Sequence, residues 1–63
     1  MKEFTPEQEV WLNDLAYWMI ELGVFGRQPI EDLRSKIDES AFIESYFEDY
    51  TAKEAVEEDI TNA

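Results

Sequence analysis

The chain has 63 residues, 16 of them acidic and five basic, with no His, no Cys and a formal net charge of −11. A chain of this length holds one small domain, because it buries only roughly 60 % of the surface its unfolded form exposes. Without imidazole or thiol groups, disulfides, Cys or His catalysis and ordinary zinc sites are excluded. The negative balance also argues against a protein that grips nucleic acid with its own positive charge.

Thr5-Pro6-Glu7-Gln8 opens the first predicted helix, with an N-cap hydroxyl, Pro at the first helical position and Gln at the capping-box position. Trp11, Leu15, Trp18 and Leu22 follow at i, i+4, i+7 and i+11, and Leu12, Ala16 and Met19 form a second stripe beside them. Together they predict a wide buried face on a helix over 6–22. Glu7, Asp14 and Glu21 repeat every seven residues on the other side, and Gly23 supplies the stop.

Residues 24–28 read as a connector bent at Gly26, after which Pro29 restarts a helix over 29–37 carrying Ile30, Leu33 and Ile37. The phase then changes. Phe42, Ile43, Tyr46, Phe47 and Tyr50 predict a third helix over 40–50, capped by Asp38 or Ser40. Thr51-Ala52-Lys53-Glu54 is a second capping box, and Ala52, Ala55, Val56 and Ile60 give a thin apolar edge to a last helix over 52–60. No run alternates as a strand does and no hairpin dipeptide occurs. The expected fold is all-α, a small bundle of three helices and a short C-terminal fourth within a single domain spanning 1–63.

Self-repulsion at −11 favours disorder, but 44 % hydrophobic and 14 % aromatic residues exceed what a solvating acidic tail carries. A folded domain of modest stability is therefore expected. Trp11, Trp18, Phe42 and Phe47 read as core, and Tyr17, Phe25, Tyr46 and Tyr50 as its margin. The uncharged stretch Leu15–Ile20 is far too short to span a membrane, and Met1-Lys2-Glu3 lacks the basic-then-apolar order of a signal peptide. A cytoplasmic protein with no membrane contact is expected.

Chemistry finds little support. Nearly every carboxylate falls on the polar side of a helix, which is a solvated face rather than an acid–base pair. Ser35, Ser40 and Ser45 have no His to activate them, and Lys36 and Lys53 sit among acids that keep them protonated. No calcium-loop spacing and no glycine-rich phosphate loop occurs, so no enzyme activity, metal or cofactor is expected. A helix-turn-helix reader on the third helix would be repelled from phosphate by Glu44, Glu48 and Asp49.

The acidity itself is the informative feature. Duplex DNA carries one charge per ~1.7 Å, so eleven charges match roughly 19 Å of duplex, close to the size of the domain. The expected partner is the basic surface of a nucleic-acid-binding protein. Glu44, Glu48, Asp49, Glu54, Glu57, Glu58 and Asp59 would supply charge, and Tyr46 and Tyr50 would be anchors. Glu7, Asp14 and Glu21 would extend the same surface if the helices pack that way. In size and charge, though in no motif, the chain is similar to small inhibitors that phages and mobile elements direct against such host proteins. The rival expectation is a helical structural or adaptor module that forms a homodimer through Trp11, Trp18 and Leu22, its charge serving only solubility.

Overall fold

Thr5 sets the start of the first helix as its sequence implies. Its Oγ1 accepts from the Gln8 amide at 3.1 Å, while Gln8 Oε1 accepts from the Thr5 amide at 2.9 Å. In the computed structural model, which describes residues 3–62, α1 then runs Pro6–Glu21. It ends in a Schellman turn: the Gly23 amide donates to the Ile20 carbonyl and the Val24 amide to the Met19 carbonyl. Gly23 takes φ +81°, which a side chain would make costly.

The short α2, Ile30–Arg34, follows the connector. It stops before Ile37, which had been expected within it. Asp38 must leave the helical region to cap the next helix, so residues 35–37 form the turn between the two. The Asp38 side chain accepts from the Ala41 amide, and α3 spans Glu39–Phe42. The expected 40–50 helix changes its winding at this point: Ile43–Phe47 is a π turn, and Glu48, Asp49 and Tyr50 lie beyond it. The extra residue in the wider turn lets Phe42, Ile43 and Tyr46 all lean on the core while Phe47 meets Trp11. The second capping box, Thr51 with Glu54, starts α4, Ala52–Thr61. No strand occurs among the described residues, and the protein is a small all-α fold measuring 28 × 25 × 16 Å. No helix among the described residues is long and apolar enough to cross a membrane.

The core differs from expectation in two respects. The fully buried residues are Leu12, Leu15, Ala16 and Met19 of α1, Leu33 of α2, and Ala52, Ala55 and Val56 of α4. Trp11, Trp18, Phe42 and Phe47, expected inside, are only half-buried, like Tyr46 and Tyr50. Three of the eight buried residues are Ala, Ala16 of α1 and Ala52 and Ala55 of α4, so the centre of the core is built from small and aliphatic side chains. The rings form a collar instead. Leu22, expected on the buried stripe, caps α1 and is 37 % exposed.

Candidate functional site

The collar has an order. Phe42, Tyr46 and Tyr50 touch in sequence, the first pair tilted with centroids 5.9 Å apart and the second edge-on at 5.5 Å. Trp11 meets Phe47 edge-on at 5.6 Å, and its indole Nε1 donates to the Tyr50 carbonyl at 3.1 Å. Tyr50 is thus fixed from both its ring and its backbone, immediately before α4 begins.

The outer side of α4 continues from it. Tyr50, Glu54, Glu57, Glu58 and Thr61 line one open hollow of about 300 Å³. These α4 positions follow one face at intervals of three and four residues, opposite the buried Ala52, Ala55 and Val56. Glu54 Oε1 accepts from the Thr51 amide, Asn62 Nδ2 donates to Glu58 Oε2 at 3.3 Å, and the Thr61 hydroxyl donates to the Glu57 carbonyl. Tyr46 and Asp59 meet elsewhere, in a second hollow of about 210 Å³ with Ala41, Phe42 and Ser45. The edge-on Tyr46–Tyr50 pair therefore stands between the two.

The remaining residues expected at this surface are spread more widely. Glu44 borders a separate hollow with Glu3, Phe4, Gln8, Ser40 and Ile43. Glu44 lies in the π segment, and Glu48 and Asp49 are exposed in the turn that follows it. Glu7, Asp14 and Glu21 are exposed on the side of α1 opposite its buried stripe. Since α1 and α4 turn their buried sides toward the same core, their outer acidic faces diverge and do not form one ribbon. Sequence reasoning missed Phe42 as the base of the ring series, although its i, i+4, i+8 spacing with Tyr46 and Tyr50 was the available signal.

The cations are drawn away from the α4 hollow. Arg34 binds Glu39 and Glu9 at 2.6 and 2.9 Å and donates to Asn13 Oδ1. Lys36 donates to Gln28 Oε1. Lys53, on α4 itself, leans toward α1 with its Nζ 5.0 Å from the Trp18 ring centroid. From Ile37 to Asn62 there are nine carboxylates and this one cation. No group of side chains among the described residues has the arrangement to hold a metal ion. Compared with family models, curated proteins and solved structures, the chain finds no match in any of the three.

Proposed function

We propose that the chain is a non-enzymatic interaction protein that occupies and blocks the basic, nucleic-acid-handling surface of another protein, in the manner of a phage-encoded nucleic-acid mimic acting in the cytoplasm. The observation that carries this reading is the α4 hollow, where Glu54, Glu57 and Glu58 surround the fixed Tyr50 with no cation in its lining. Glu57, Glu58 and Asp59 add support. They lie toward the C-terminal end of α4, where the helix dipole disfavours anions by about 0.3–1 kcal/mol each, and no basic residue occupies the last turn. Apart from the bond that Glu58 accepts from Asn62, these carboxylates find no partner among the described residues, so the use of their charge is sought outside the fold.

Tyr50 and Tyr46 present an apolar ring and a polar tip, the chemistry of an interface anchor, and the surrounding carboxylates steer a cationic cleft onto them. The competing homodimer has no comparable support. Trp11 and Trp18, which were to form it, are half-buried within one chain against Phe47 and Lys53.

Affinity capture from a cell extract, eluted by a salt gradient, tests the proposal. A nucleic-acid-binding protein released by moderate salt, and no longer captured by a Glu57→Lys, Glu58→Lys variant, is expected. Retention that ignores both salt and the substitutions would overturn it.

A further inference from the structure

We infer that the outer face of α1 is a second docking surface, whose occupant is a basic amphipathic helix of another protein. The inference is independent of the α4 surface and rests on a different set of residues.

Val10 and Tyr17 are 61 % and 47 % exposed on the side of α1 away from its buried stripe. They stand seven residues apart, so one lies two turns above the other. Asn13 follows Val10 by three, and the half-buried Ile20 follows Tyr17 by three. Val10, Asn13, Tyr17 and Ile20 therefore keep the alternating three-and-four spacing of a coiled-coil seam. Glu7, Asp14 and Glu21, all exposed, repeat with the same period of seven along one edge of that seam. They hold the flanking register that selects a partner by charge in paired helices. The other edge is closed by α2, through Arg34 bonded to Asn13 and Glu9. At the C-terminal end, Tyr17, Ile20, Glu21, Arg27 and Gln28 border a hollow of about 310 Å³, open to receive an apolar side chain from outside.

Charge identifies the occupant. A helix with Lys or Arg at heptad spacing beside an apolar stripe would pair with Glu7, Asp14 and Glu21 while covering Val10 and Tyr17. Arg27 is the one cation among the described residues that line that terminal hollow. A second copy of this chain would set carboxylates against carboxylates, with −11 on each molecule. α1 is ~24 Å long, so the contact spans little more than two heptads and forms a transient rather than a permanent complex.

The test uses the full chain and a synthetic 21-residue helical peptide with Leu at the two seam positions of each heptad, Lys beside them and Ala elsewhere. A second peptide replaces every Lys with Glu. The Lys peptide should bind at 0.15 M NaCl, with amide shift changes concentrated on the outer side of α1, and the Glu peptide should not. Val10→Ser and Tyr17→Ser, both at exposed positions, should each weaken binding about tenfold. A Glu54→Gln, Glu57→Gln, Glu58→Gln variant should change it by no more than about twofold, since these three charges lie on another helix and each contributes little through solvent. Equal binding of both peptides, indifference to the Val10 and Tyr17 substitutions, or shifts confined to α4 and lost in the triple Gln variant would each overturn the inference.

Discussion

Trp11 and Tyr50 are joined by a hydrogen bond from the indole Nε1 to the Tyr50 carbonyl, 3.1 Å long and spanning 39 residues of sequence. It ties the first helix to the junction where the π turn ends and α4 begins. The carbonyl it satisfies belongs to the last residue before the Thr51 cap, a place where the backbone has left one helix and not yet entered the next. The bond therefore sets where α4 starts, and with it where Glu54, Glu57 and Glu58 stand relative to the Tyr50 ring.

Trp11→Phe keeps a ring against Phe47 but removes the donor. The expected cost is about 1 kcal/mol, seen as a fall of roughly 4–8 °C in the thermal midpoint of so small a domain. Trp11→Ala also removes the ring contact and should cost about 3–5 kcal/mol, on the order of the whole stability available at this size. Circular dichroism at 25 °C should show it largely unfolded. A Trp11→Phe midpoint equal to that of the unaltered chain would mean the bond is not a structural tie.

Arg34 joins three helices by a fork that reaches Glu9, Asn13 and Glu39. Partial burial works against its charge, but the hydrogen bonds to Glu9 and Glu39 and the charges of those carboxylates outweigh it, so its pKa is raised. A raised folded-state pKa means the stabilisation is complete below the unfolded value and is lost only as pH climbs through the folded one. Both lie beyond the range in which the protein would be handled. Arg34→Met should therefore cost about 1–2 kcal/mol, discounted for the exposure of Glu9, and the gap in midpoint should stay constant from pH 7 to 10. A gap that closes by pH 10 would contradict this.

The two long-range ends of the chain were legible because their signals are local. Each capping box names both partners within four residues, and each forms as written. The hollow at α4 was partly legible for the same reason: Glu54, Glu57 and Glu58 share a face in any α-helix that starts at Thr51. Burial was not legible. Whether Trp11 or Leu12 faces inward depends on how α1 is turned against α2 and α4, which no local pattern records. The π turn escaped notice because Phe42, Ile43, Tyr46 and Phe47 suit an α-helix as well. It ends the third helical stretch at Phe47, so Glu48 and Asp49 fall in the turn beyond it while Glu44 lies within it.

Tyr17 offers a local probe of the α1 outer face. Hydrogen bonding toward the Glu21 carboxylate, then that group's negative charge, then slight desolvation raise its pKa. The neutral phenol's interaction is thus fully present below the unfolded value and disappears as pH rises through the higher folded one. Phenolate absorbance, taken as the difference between the unaltered chain and Tyr17→Phe, should show Tyr17 ionising above the ordinary tyrosine range. Glu21→Ala should bring it back toward that range. Unchanged ionisation after Glu21→Ala would place the partner of Tyr17 elsewhere.

The charge at α4 also makes a prediction about stability. Glu54→Gln keeps the Thr51 box intact, since Gln8 performs the same role for Thr5. With Glu57→Gln and Glu58→Gln added, the net charge falls from −11 to −8. Two of these changes remove anions from the unfavourable end of the helix dipole, and all three reduce repulsion along one face. Between 0.01 and 0.15 M NaCl the screening length drops from about 30 to about 8 Å, so the unaltered chain should melt at progressively higher temperature as salt is added. The triple variant should melt higher at low salt and rise less steeply, the two curves converging as screening takes over. If the variant were the less stable at every ionic strength, those carboxylates would be holding the fold together, and their availability to an outside partner would lose its basis.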